Sequence, residues 1–224
     1  MSTVMCIGAH PDDMEFVCAG TMLQLLRQGH DGILVVLTNG ENGFKVGRPP
    51  RRERIAIRRH EQEEAARRLG LQRVVFLDER DGFLEYTEAL RSRLVALLKQ
   101  HRPRIVFAFD PANQAFDSIN LFHRDHRIAG LVAFDAVFAA KNLWMYDGEP
   151  HRVEELWLFG SQAPDRFVDI SADIDRKIEI LRCHRSQFPE PERVERLVRE
   201  TLSGPHGAHR HCERFRVLRV GQVV

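Results

Sequence analysis

The segment Gly-Ile-Leu-Val-Val-Leu-Thr at residues 32–38 holds five large apolar residues in a row with no polar position between them. A strand with one wet face alternates apolar and polar side chains, whereas an unbroken run of this kind is covered on both faces. Similar short runs lie at residues 4–9, 74–77, 105–109 and 155–159. Between them fall longer segments of helical character. Residues 13–28 are mostly apolar and stop at Gly29. Residues 53–69 are charged, with a stripe through Ile57, Glu61, Ala65, Ala66 and Leu69, and stop at Gly70. Residues 87–101 carry Leu90, Leu94, Leu97 and Leu98 and stop before Pro103. Helices are also predicted at 126–140 and 173–183. Residues 39–50 and 110–123 read as loops, and the tail from Pro189 reads as irregular apart from a short strand at 215–220. Strands that alternate with helices and are apolar throughout imply a Rossmann-like three-layer α/β sandwich with a mostly parallel central sheet. With no repeat or linker in view, residues 1–224 are expected to form one domain. In such sheets ligands sit beyond the carboxyl ends of strands, here the turns after Ala9, Thr38 and Phe109.

Composition narrows the function more than the fold. A net charge of +1 with no long basic run argues against a nucleic-acid partner. No stretch approaches the ~20 apolar residues of a membrane span, so no membrane partner is expected. The first residues lack a basic segment, and their apolar run is too short for a signal peptide. Cys6, Cys18, Cys183 and Cys212 form no Cys-x-x-Cys pair. A thiolate zinc knuckle is therefore not expected, and a reducing cytoplasm is.

Two of the predicted turns carry chemistry. The first reads His10-Pro11-Asp12-Asp13-Met14-Glu15. Pro11 stiffens the turn and biases His10 toward extended backbone. His10 and Asp13 are three apart, so at a helix start both face one point, and an imidazole with a carboxylate suits zinc or a similar divalent ion. Asp12, one position off that pair, is placed to take a proton from a water activated there. The alternative is a solvated helix start, where aspartate is favoured by capping and dipole. The second turn reads His123-Arg124-Asp125-His126. One histidine completes a three-ligand site with an open position, and the other is left to polarise a carbonyl or protonate a leaving amine. A neighbouring carboxylate fixes its tautomer and keeps it cationic. The alternative is a surface His/Arg cluster.

These motifs together resemble the LmbE-like or PIG-L superfamily of zinc N-deacetylases. Further stretches are similar to it: Thr38-Asn39-Gly40-Glu41 with Gly43, Arg58-x-x-Glu61 running into Leu69-Gly70, Asp81-Gly82-x-Leu84, Val168-Asp169-Ile170-Ser171, and Lys177 with His184-x-Ser186-Gln187. The resemblance covers nearly the whole chain. It implies that His10, Asp13 and His126 are the zinc ligands and Asp12 the general base. It makes His123 the residue that stabilises the oxyanion or protonates the amine, with Asp125 as its charge partner. Glu15 and Arg58 match positions near the pocket and carry support or substrate contact. The ion is expected to be Zn2+, with Fe2+ or Co2+ as alternatives. The substrate is expected to be a small N-acetylated sugar, such as an N-acetylglucosaminyl conjugate, and the assembly a homo-oligomer, a trimer or hexamer. The chain departs from the pattern at Phe16-Val17-Cys18-Ala19-Gly20, where the family is glycine-rich. It departs again at His211, which stands where a tyrosine usually precedes the Glu-x-Phe motif, here Glu213-Arg214-Phe215.

Several residues outside these motifs also bear on function. Asn113, Gln114, Asp117 and Asn120 are candidates for specificity. His206, His209 and His211 read as a polar segment rather than a second metal site. Trp144, Tyr146 and Trp157 either stack on a sugar or pack. Competing functions are hydrolysis of another small amide or ester, and metal or sugar binding without turnover. A nucleotide-binding reading is weakened because His-Pro-Asp-Asp stands where Gly-x-Gly-x-x-Gly would follow the first strand.

Overall fold

The computed structural model describes residues 2–113, 123–202 and 211–221. In chain order the elements are β1 (Thr3–Gly8), α1 (Asp13–Val17), α2 (Ala19–Arg27), β2 (Asp31–Thr38), α3 (Arg51–Leu69), β3 (Arg73–Glu79), α4 (Glu88–His101), β4 (Ile105–Phe109), α5 (Arg124–Ala140), β5 (Glu155–Phe159), β6 (Arg166–Asp169), α6 (Ile174–Leu181), α7 (Pro191–Thr201) and β7 (Cys212–Arg219). Among the described residues the sheet has seven strands in the order β3-β2-β1-β4-β5-β7-β6. The first five are parallel, and β7 and β6 close the far edge in antiparallel pairing. The strand order reverses between β1 and β4, and ligands of open α/β sheets gather at that switch point.

The apolar runs are explained by what covers them. Met5 and Ile7 point into a core with Leu90 and Leu94 of α4 and Val132 and Ala136 of α5. Val4 and Cys6 point the other way, against Met14 of α1, Met22 of α2, Leu69 of α3 and Ile180 of α6. Residues 4–7 of β1 and 33–37 of β2 therefore meet hydrocarbon on both faces, as expected for the middle layer of a three-layer fold. No helix among the described residues is long and apolar enough to cross a membrane.

Four local expectations are corrected. The helix predicted over 13–28 is two helices, broken at Cys18, whose backbone (φ −145, ψ 11) is not helical. The break is stabilised from far along the chain: the buried Glu213 carboxylate accepts the Gly20 and Thr21 N–H groups at the start of α2. The tail contains a full helix, α7. It has Pro191 in its first turn, and its Val194 and Val198 pack on Ile174 and Ile178 of α6. Its two buried apolar residues are too sparse among charges to have stood out in sequence. Strand β6 is short and largely exposed, and exists only because β7 pairs with it. Finally, α5 starts two residues earlier than predicted, which makes His123 its N-cap.

Candidate metal centre

The turn after β1 is built around Asp13. Its Oδ2 accepts the backbone N–H groups of Ala9 and His10, each at 2.8 Å. These bonds fold the chain sharply and aim the other oxygen, Oδ1, at His126 Nε2, 3.3 Å away. His10 Nδ1 lies 3.2 Å from His126 Nε2 and 3.7 Å from Asp13 Oδ2. Two ligands bonded tetrahedrally to zinc at ~2.0–2.1 Å stand roughly 3.4 Å apart, so the three groups are spaced as ligands of one ion would be. Two imidazoles and a carboxylate are the donor types zinc accepts while keeping a position open. His126 is brought here by a close approach of α5 to the end of β4: its ring stacks on Phe109, centroids 4.2 Å apart. A Cβ on Gly130 would lie 2.8 Å from the Phe109 carbonyl oxygen, so only glycine permits this contact.

The opposite edge of the His10 ring is held by carboxylates. Nε2 lies 3.2 Å from both Asp125 Oδ2 and Asp81 Oδ1. Burial disfavours the His10 cation, but bonds to Asp125, Asp13 and Asp81 outweigh it and hold the pKa well above the ordinary histidine value. Asp125 is itself committed, Oδ2 to the Gly82 N–H and Oδ1 to the Leu84 N–H. A His10–Asp81–Asp125 cluster is close enough to hold an ion, but those bonds make Asp125 an orienting group for His10 instead. The Asp125 carboxylate thus hydrogen-bonds to His10 and acts on His123 through its charge alone. Asp81 was assigned no role from sequence. It ends the turn after the third parallel strand, and extending the strand-end rule to that strand would have found it. Asn42, in the loop after β2, fixes it by donating its N–H to Asp81 Oδ2 and its side-chain amide to the Asp81 carbonyl.

His123 sits beside both metal-site histidines, with ring centroids 5.1 Å from His10 and 5.3 Å from His126. It also falls within ligand distance of them. Its Nδ1 accepts the Asp125 N–H at 3.1 Å as the cap of α5. That bond requires a bare Nδ1, so the neutral ring carries its proton on Nε2. Burial, reinforced by the charges of His10 and His126, lowers its pKa. The shift favours the neutral Nε2–H tautomer over the cation.

Asp12 follows His10 in the same turn, with its backbone in the left-handed region, φ 105. For a residue other than glycine this costs on the order of 1–3 kcal/mol and persists only where neighbours enforce it. Arg58 supplies part of that enforcement. Its guanidinium donates to Asp12 Oδ2 through both terminal nitrogens, at 3.2 and 3.3 Å, and to the Pro11 carbonyl. Burial raises the Asp12 pKa against the pull of Arg58. Glycine is needed again at Gly40, at φ 66, where a Cβ would lie 2.8 Å from Pro11 and 2.9 Å from Arg58 Nε.

Of support or substrate contact for Glu15 and Arg58, burial selects support. They are 0% and 1% exposed, and Glu15 accepts a bond from Gln62. Other expectations fall away from the site. Trp157 is a core residue packed on Phe107 and Phe215. Tyr146 is tied to Glu88 and Arg91 of α4. Trp144 lies beyond the far end of the 17-residue α5, whose last residue, Ala140, is roughly 21 Å along the helix axis from His126 at 1.5 Å per residue. His211 joins the β6–β7 flank, its N–H on Ser171 Oγ. Gln114, Asp117, Asn120, His206 and His209 lie outside the described residues. A groove of about 720 Å³ between α3 and α6 contains none of the metal-site residues.

The family described as PIG-L, GlcNAc-PI de-N-acetylase, matches residues 5–137. A diacetylchitobiose deacetylase of Thermococcus kodakarensis is 33% identical, covering 96% of this chain and 82% of its own. A probable N-acetyl-α-D-glucosaminyl L-malate deacetylase of Bacillus anthracis is 28% identical over 90% of this chain and 87% of its own. The solved N,N′-diacetylchitobiose deacetylase of Pyrococcus horikoshii superposes with a TM-score of 0.89 at 30% identity, covering 97% of this chain and 84% of that one.

Proposed function

This chain belongs to the PIG-L (GlcNAc-PI de-N-acetylase) family, and on that footing we propose that it removes the N-acetyl group from an N-acetylglucosamine-type sugar, with a zinc ion held by His10, Asp13 and His126. It is an N-deacetylase, and its relatives are named for diacetylchitobiose and for a glucosaminyl malate. The reading is carried chiefly by one observation: at the switch point His10 Nδ1 and His126 Nε2 lie 3.2 Å apart, with Asp13 Oδ2 3.7 Å from the first and Asp13 Oδ1 3.3 Å from the second. An ion bound there supplies Lewis-acid activation of the attacking water. Asp12 takes that water's proton as the oxygen adds to the amide carbonyl. His123 offers its Nε2–H to the carbonyl oxygen as charge develops on it. Collapse of the tetrahedral adduct releases acetate, and the proton held by Asp12 passes to the departing amine. Asp125 and Asp81 keep the His10 ring turned toward the ion.

The test is acetate release from N-acetylglucosamine and N,N′-diacetylchitobiose by zinc-loaded protein. Asp12→Asn should retain zinc while turnover falls by ~10²–10⁴-fold, and His123→Ala should lose about 10²–10³-fold. Turnover by Asp12→Asn at the wild-type rate, or turnover indifferent to chelation, would refute the proposal.

A further inference from the structure

Gln62 is fully buried on α3, one helical turn after Arg58. Its Oε1 accepts the Asp12 backbone N–H at 2.9 Å, and its Nε2 donates to Glu15 Oε1 at 2.7 Å. We infer that Gln62 is the positioning residue for the Asp12 base, clasping α1 at two points one turn apart so that Asp12 keeps its left-handed backbone. The inference rests on the proposed role of Asp12 and adds to it the device that aims the carboxylate.

The chemistry leaves little choice of residue. Asp12 N–H can only donate and Glu15 Oε1 accepts here, so the side chain between them must present an acceptor to one and a donor to the other. Glutamine has both on one terminal group at the right length. Glutamate would set two carboxylates against each other in a buried site, and methionine would leave both partners unpaired. The fully buried His184 packs behind Glu15, its Nε2 3.5 Å from Glu15 Oε2 and not hydrogen-bonded to it. The metal-site turn does not depend on this clasp, because Asp13 is held by the Ala9 and His10 amides. Loss of the Gln62 bonds therefore releases Asp12 while leaving His10, Asp13 and His126 in place. A base displaced by about 1 Å can lose on the order of 10²-fold in rate without loss of binding.

Four variants test this: Gln62→Met, Gln62→Glu, Glu15→Gln with Gln62→Glu, and Asp12→Asn. Each is measured for kcat and KM on N,N′-diacetylchitobiose, zinc per chain, thermal midpoint, and amide exchange at residue 12 by NMR. Gln62→Met should keep zinc and KM, lose roughly tenfold to a hundredfold in kcat, and exchange the Asp12 amide faster. Gln62→Glu should also lose kcat. The double exchange satisfies both contacts again, with the second bond reversed so that the amide at position 15 donates to the carboxylate at position 62, and should recover most of that loss. Wild-type kcat in Gln62→Met overturns the inference. So does a kcat loss that tracks loss of zinc or of folded protein. If Gln62→Met does not fold, the swap decides, and equal kcat in Gln62→Glu and the double variant overturns the inference. Full activity in Asp12→Asn removes the base assignment and this inference together. An inactive Asp12→Asn beside an unimpaired Gln62→Met removes this inference alone.

Discussion

Truncating Glu213 should destabilise the protein more than truncating its ion-pair partner Lys177, although both are fully buried. The two side chains meet at 2.6 Å. Glu213 additionally accepts the Gly20 N–H, the Thr21 N–H and the Thr21 hydroxyl. Lys177 has, besides Glu213, the Phe16 carbonyl. Lys177→Met leaves Glu213 with three donors at a helix N-terminus, where negative charge is favoured. Its cost is that of the ammonium's two bonds, to Glu213 and to the Phe16 carbonyl, about 2–4 kcal/mol. Glu213→Ala strands a buried ammonium and two buried amides at once, and breaking a buried pair in this way costs about 3–5 kcal/mol. Against a total stability of ~5–15 kcal/mol that is a large fraction. Urea unfolding of both singles and the double should be measured with chelator present, so that bound metal adds no stability by mass action. The double variant should cost less than the sum, with a coupling of about 0.5–3 kcal/mol. Equal destabilisation by the two singles, or strict additivity, would refute the view that Glu213 is the hub joining α2 to α6.

Three further outcomes follow from the metal-site geometry. Asp125→Asn should fold and still bind zinc, but with ~10–100-fold weaker affinity, because the His10 ring loses a charged partner behind it; competition with a chromogenic chelator reads this directly. Gly130→Ala should drive α5 off the Phe109 carbonyl, lowering stability by about 1–3 kcal/mol and weakening zinc binding through His126; unchanged affinity would detach His126 from the site. Zinc affinity should rise with pH through the elevated His10 pKa, since the ion must displace a proton from that imidazole. The same elevated pKa means that protonation of His10 stabilises the metal-free protein below the ordinary histidine range. That contribution fades as pH climbs through the raised value, and calorimetry in buffers of different ionisation enthalpy should register the released proton.

Much of this was legible in the chain. The unbroken apolar run at 33–37 required cover on both faces, and that alone called for helices above and below a parallel sheet. His10, Asp13, His123 and His126 could be picked out because each pair lies within one turn of backbone, where spacing translates directly into direction. Asp12 could be singled out for the same reason, as the carboxylate one position off the His10–Asp13 pair.

What sequence could not decide were relations between residues far apart along the chain. Asp125 lies two residues from His123 yet serves His10, because α5 presents its carboxylate across the switch point to β1. Gln62 is 50 residues from the Asp12 amide it holds, and Glu213 breaks a helix more than 190 residues before it. The tautomer of His123 follows from its place as a helix cap, which required the true start of α5. Local spacing and apolar pattern are properties of a few bonded neighbours and survive in a linear string. Hydrogen-bond direction, backbone strain at Asp12 and the burial of Glu15 and Arg58 depend on which distant groups the packed helices bring within 3 Å, and that is settled only when the three layers close.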